Sequence, residues 1–172
     1  MIAKTKKRLS PSLEDYLEAV LELVRSGKVA RVRDIAKRLH VGMPSVSVAL
    51  RALAGRGLVN YDPYQVVTLT EQGQRLGRAI DHRHQVLGEF FSRVLGLDDA
   101  VAQANACRIE HAIDPSVLDR LQRLSEFIQV CPHIGRQWLN IVQTRGAAAI
   151  LPQGDCAKCI ARKNAEGKCP SL

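Results

Sequence analysis

Between Val32 and Ala54 the chain sets two short helical segments around a four-residue turn, and no other feature narrows its possible folds as far. Val32 to Leu39 reads as one helix, His40-Val41-Gly42-Met43 as the turn, and Pro44 to Ala54 as a second helix with proline in its first turn. This is the helix-turn-helix pattern. A longer helix precedes it. Ser10-Pro11 with acidic residues at 14 and 15 makes a helix start, and Leu13, Leu17, Val20, Leu21 and Val24 then fall on one face before Gly27 ends the run. After Arg56-Gly57, two β-rich stretches between Leu58 and Thr70 flank Asp62-Pro63, which predicts a hairpin wing.

From Glu71 to about Leu95 the pattern is that of a long helix carrying Leu76, Ile80, Leu87, Phe90 and Phe91. Gly73, Gly77 and Gly88 interrupt it, and glycine on a helix face permits close helix contact. Asp98 to Ile113 and Pro115 to Val130 read as two further helices, the second with Leu118, Leu121, Leu124 and Ile128 apolar. The last 40 or so residues change character, with Cys131-Pro132, Pro152, Gly154 and three more cysteines. The expected fold is mainly α with a small β wing. A DNA-binding domain spans 1–72, a helical domain 73–130 and a cysteine-bearing appendix 131–172.

The 172 residues are 46% hydrophobic and 24% charged, which excludes a disordered or collagen-like chain. Twenty-five Lys and Arg against 17 Asp and Glu leave a net charge of +8, which suits a polyanion, nucleic acid ahead of an anionic membrane surface. No stretch approaches the ~18 apolar residues that span a bilayer, and the start from Met1 to Arg8 lacks the apolar region of a secretory signal. The expected place is the cytoplasm. Aromatics are only 4%, too few for base-stacking platforms, so a helix in a groove of duplex DNA is the expected reader. Pro44 opens that helix, and Ser45, Ser47 and Arg51 would reach base edges. Arg31, Arg33, Lys37, Arg38 and Arg56 would neutralise phosphates. The plainer alternative is ordinary packing with a solvated arginine face.

Asp15 and Glu18 are three apart, hence neighbours on one helix face. Cys107, Glu110 and His111 are related by three and four, which brings thiolate, carboxylate and imidazole to one face of theirs. His84 lies between these segments. Together they could hold one or two divalent transition ions, with sulfur and imidazole disfavouring magnesium and calcium. Iron(II), manganese(II), cobalt(II) and zinc(II) stay open. Singly, each residue has a bland reading as a helix-start charge, a buried cysteine or a surface histidine.

Several spaced motifs carry a family resemblance. They are Ser12-Leu13-Glu14-Asp15-Tyr16-Leu17-Glu18-Ala19, Ala30-Arg31-Val32-Arg33-Asp34-Ile35-Ala36, Pro44-Ser45-Val46-Ser47, Leu69-Thr70-Glu71-Gln72-Gly73, His82-Arg83-His84 and Ala106-Cys107-Arg108-Ile109-Glu110-His111. In this order, from about residue 10 to 130, the chain resembles the diphtheria toxin repressor and manganese transport regulator family. The resemblance implies a winged helix-turn-helix domain, a helical dimerisation domain, a homodimer on operator DNA, and control of metal-uptake genes by bound metal. It assigns Asp15, Glu18, His84, Cys107, Glu110 and His111 as metal ligands. The acidic pair is similar to the manganese branch and Cys107 to the iron branch, with iron(II) favoured. Gly88 and Gln103 stand where the iron branch's second site would need ligating side chains, and no room is found for an SH3-like domain.

Five cysteines are an odd number, which argues against a disulfide framework in a reducing compartment. Cys156-x-x-Cys159, completed by Cys131 and Cys169, suggests a tetrahedral zinc site or an iron-sulfur cluster, and His133 could replace one thiol. A redox dithiol is the alternative there. Two other functions compete with a metal-dependent regulator: a thiol redox enzyme using Cys156 and Cys159, and a constitutive DNA-binding module with structural metal. No general-base constellation or phosphate loop accompanies the thiol pair, so the expectation is that the chain is not an enzyme.

Overall fold

The computed structural model describes residues 9–63 and 65–130; the basic arm before Leu9 and the appendix with Cys131, His133, Cys156, Cys159 and Cys169 lie outside them. The chain divides into two compact units between Arg83 and His84.

In the first unit, α1 runs from Pro11 to Arg25. Ser10 caps it, its side chain accepting from the Leu13 backbone N–H at 3.4 Å, and Pro11 occupies the first turn, where no amide is needed. Gly27, at φ +71°, turns the chain out of the helix. Leu17, Val20 and Leu21 are buried as the spacing predicts, but so are Tyr16, Ala19 and Leu23, while Val24 is exposed. The helix is therefore buried around most of its circumference rather than along one stripe. α2 (Val32–Leu39) and α3 (Met43–Ala54) follow, joined through His40 in the left-handed region. α3 starts one residue earlier than the proline suggested. Ile35, Ala36, Val46, Ala49, Leu50 and Leu53 complete one core with α1.

The wing is real but short. β1 (Val59–Asn60) and β2 (Thr68–Leu69) pair antiparallel, Val59 opposite Leu69 and Asn60 opposite Thr68. Val67 donates its N–H to Ala30 O at 2.9 Å, which ties the wing to the loop before α2. Thr70 then caps α4 (Glu71–Glu89): its hydroxyl donates to Gly57 O at 2.7 Å and accepts from the Gly73 N–H at 3.0 Å. Gly73 is obligatory, because a Cβ there would lie 1.8 Å from Leu58 O.

The long helix expected to reach Leu95 stops being α-helical at Glu89. Phe90–Val94 forms a π turn instead, with the Leu95 N–H bonded to Phe90 O at 3.1 Å. In the second unit α5 (Asp99–Ile109) is capped by Asp98, and α6 spans Pro115–Val130. α5 is shorter than the predicted Asp98–Ile113 stretch, so Glu110 is its C-cap and His111 lies in the turn beyond. Leu87, Ala106 and Leu118 form the centre of this unit's core, with Val86, Phe91, Ile113 and Leu121 packed around them. Leu124, expected in the core, is exposed, as are Val101, Ile109 and Val117.

Candidate metal centre and DNA-facing surface

The second unit gathers a compact set of candidate ligands. Glu110 is wholly buried, although it is a carboxylate. Its Oε2 lies 2.8 Å from Nδ1 of His84 on α4, and its Oε1 lies 3.3 Å from His111 Nε2. Oε1 receives no hydrogen bond among the described residues. A buried carboxylate requires positive charge or hydrogen-bond donors around it. Here the near neighbours are two imidazoles, which serve equally as ligands. Cys107, one turn earlier on α5, is exposed and offers its sulfur within 4.8 Å of a Glu110 oxygen. Thiolate, carboxylate and two imidazoles suit a first-row transition ion better than magnesium or calcium. A buried carboxylate oxygen left without a donor is what such an ion would complete, so the residues fit the group.

Asp15 and Glu18 belong to the first unit, both half-buried and one turn apart on α1. Between them and the helix start lies a residue that sequence reasoning treated only as a helix-start charge. Glu14 is 4% exposed, and its Oε2 accepts from Arg83 on α4 at 2.7 Å. A glutamate placed among Leu13, Tyr16 and Leu17 was the available signal that its partner had to be buried with it.

The first unit also carries the DNA-facing candidates. Pro44, Ser45 and Arg51 are exposed along α3 and Ser47 is half-buried. Arg31, Arg33, Lys37 and Arg56 are exposed as well. Two of the expected phosphate contacts have acidic neighbours, Arg38 forming an ion pair with Glu22 and Arg33 lying 3.6 Å from Asp34. Sequence reasoning missed two apolar side chains on the reading helix, Met43 and Val48, which are 55% and 63% exposed. Apolar groups there can meet thymine methyls. It also missed an open cleft of 880 Å³ between the start of α3 and the wing, lined by Arg31, Arg33, Met43, Asn60, Gln65 and Thr68. Only the wing's polar residues could have indicated it.

Among the described residues no helix is long and apolar enough to cross a membrane. The family described as iron dependent repressor, N-terminal DNA binding domain, is matched over residues 8–67. Its companion, iron dependent repressor, metal binding and dimerisation domain, is matched over 70–139. An HTH-type transcriptional regulator of Methanocaldococcus jannaschii is 34% identical over 119 residues, covering 69% of this chain and 95% of that protein. The HTH-type transcriptional regulator MntR of Shouchella clausii is 34% identical over 70% of this chain and 83% of its own length. Among solved structures, the manganese regulator SloR is similar with a TM-score of 0.62 and 27% identity, over 73% of this chain and 58% of that one. A manganese-dependent transcriptional repressor in complex with manganese has a TM-score of 0.58 and 28% identity, over 70% and 56%. The chain thus spans a little over half the length of these solved proteins.

Proposed function

This chain belongs to the iron-dependent repressor family, and from that premise we propose that it is a dimeric regulator of transcription that binds operator DNA when loaded with iron(II) or manganese(II), repressing genes of metal uptake. The observation that carries this reading is the buried Glu110 carboxylate between two imidazoles, on a chain whose other unit is a winged helix-turn-helix. Such regulators act in the cytoplasm, where their operators are.

Asp15, Glu18, His84, Cys107, Glu110 and His111 would hold one divalent ion, whose charge offsets the repulsion among their carboxylates and thiolate. Asp15 and Glu18 are carried by α1, which shares one core with the reading helix α3. The other four are carried by the second unit. Drawing the two groups together limits the directions in which α3 can be presented. Two reading helices must lie about 34 Å apart, one duplex turn, to enter successive major grooves, so limiting those directions raises DNA affinity. Ser45, Ser47 and Arg51 then face base edges, while Arg31, Arg33, Lys37 and Arg38 lie beside phosphates. Exposed Val101, Ile109, Val117 and Leu124 supply apolar surface for a second copy.

The domains follow as 1–72 for DNA, 73–130 for metal and dimerisation, and 131–172 for the appendix. In the appendix, Cys131, Cys156, Cys159 and Cys169 are proposed to hold zinc or an iron-sulfur cluster, on the strength of the Cys-x-x-Cys spacing. Metal and sulfide analysis of anaerobically purified protein, against a Cys156→Ala, Cys159→Ala double variant, separates those two. The regulator itself is tested by binding of duplex DNA selected from a random pool, with manganese(II), iron(II) or chelator, for wild type and Glu110→Ala. Metal-dependent binding that the variant loses supports it. Equal binding with and without metal contradicts it.

A further inference from the structure

His84 is held from two sides, and the second holder has no place among the ligands. Its Nδ1 lies 2.8 Å from Glu110 Oε2, and its Nε2 lies 2.7 Å from Oε1 of Gln103, on α5. We propose that Gln103 is a positioning residue of the metal centre, and that Gly88 is the feature of α4 that admits it.

His84 and Gly88 are one turn apart on α4 and share a face. A Cβ at position 88 would fall 2.8 Å from Gln103 Nε2 and 3.5 Å from its Cδ and Oε1. Glycine weakens a helix interior relative to alanine. The room it leaves here is taken by the Gln103 amide, whose Nε2 would meet that Cβ and whose Oε1 lies 2.7 Å from the imidazole.

An imidazole gives one nitrogen to a metal while the other keeps its hydrogen and donates to an acceptor. An amide oxygen can only accept. When an ion takes Nδ1, the nitrogen beside the buried carboxylate, the hydrogen is left on Nε2, where Gln103 Oε1 is placed to accept it. The amide also covers His84 on a side open to water, since the His84 side chain is 24% exposed and Gln103 is exposed. It does so as a neutral acceptor, adding no charge to a set that already includes Asp15, Glu18, Cys107 and Glu110.

This inference rests on the metal-centre reading, and the test separates the two. Cobalt(II) is titrated into full-length wild type, Gln103→Leu, Gln103→Glu and Gly88→Ala, with uptake read from ligand-field absorption. The imidazole nitrogens of the proteins saturated with diamagnetic zinc(II) are observed by NMR. Loss of an outer partner of a ligating histidine costs about 10–100-fold in metal affinity. That loss is expected in Gln103→Leu, together with loss of the wild-type Nε2–H signature of His84. Gln103→Glu, which keeps an acceptor oxygen at the same reach, restores both. Gly88→Ala displaces only a flexible amide, so it raises the unfolding temperature of the metal-free protein while weakening cobalt(II) binding. A structural role alone would move those two readouts in the same direction. Wild type that binds cobalt(II), with Gln103→Leu and Gly88→Ala binding as tightly, overturns the role of Gln103 alone. Wild type that takes up no cobalt(II) overturns the metal centre and this inference with it.

Discussion

Glu110 has no contact with water, and its carboxylate faces His84 and His111. Removing its charge while keeping its volume tests whether that burial serves a ligand. Glu110→Gln is expected to fold and to lose manganese(II) or cobalt(II) affinity by at least about 10–100-fold, the scale on which even outer partners of metal ligands act. Calorimetric titration measures it, and unchanged affinity would remove Glu110 from the site. Glu14 makes a different case, a buried acid held by an ion pair with Arg83. Its partner Arg83 is only 16% exposed, so Glu14→Ala leaves a largely buried cation and should cost about 3 kcal/mol, at the low end for broken buried pairs. Thermal unfolding of the metal-free protein reports it. At this scale the residue types of the candidate ligands were legible, and so was the i, i+3 spacing of Asp15 and Glu18 on α1, whereas the i, i+4 relation of Cys107 to His111 runs past the end of α5. The hydrogen bonds of Gln103 and the burial of Glu14 were not, because both depend on a helix distant in sequence.

α4 shows how an element boundary is set by its surroundings. Thr70 closes the wing and opens the helix with the same hydroxyl, and Gly73 lets the first turn pass against Leu58 O. Gly73→Ala would gain helix propensity, yet its Cβ would meet backbone that cannot give way. The expected result is a net loss of about 1–3 kcal/mol, the range for overpacked positions, read as a lower unfolding temperature. On α3, Arg51 is exposed along the reading helix. If it contacts a base, Arg51→Ala costs about 1–3 kcal/mol on the preferred sequence and relaxes specificity at one position. If it contacts phosphate, binding weakens on all sequences and the salt slope falls by about 1. Binding to the selected and scrambled duplexes at several salt concentrations distinguishes them. The helices were legible from apolar spacing and from the caps Ser10, Pro11, Gly27 and Pro115. The ends of α4 and α5 were not, since Phe90 to Val94 and Glu110 to Ile113 keep helical composition while their backbones leave the α-helical ladder. The wing was placed correctly but overestimated, because β-rich composition does not say how many residues find ladder partners.

For the molecule as a whole, the net charge of +8 supplies a sequence-independent attraction to DNA that falls steeply with salt. In the proposed function, metal dependence comes on top of it. A shift from helix-turn-helix and wing to a run of longer helices was legible, while the compact units part between Arg83 and His84, within α4. What the sequence alone left open was how much of the apolar surface folding would cover: Val101, Ile109, Val117 and Leu124 stay exposed in the single chain, and such surface is expected to be shared with a second copy. Substituting Val117 and Leu124 together by serine should shift the protein toward monomer in analytical ultracentrifugation and lower DNA affinity with it. A metal-dependent regulator requires that metal and DNA binding be coupled. The most direct test of that coupling is a thermodynamic cycle, in which the affinity for the selected duplex is measured with manganese(II) and with chelator, and the affinity for manganese(II) with and without that duplex. Coupling free energies between sites are commonly about 1–3 kcal/mol, so both affinities should rise by the same factor, between about 5-fold and 150-fold. A protein that binds manganese(II) tightly while its DNA affinity stays the same with and without the ion would contradict it.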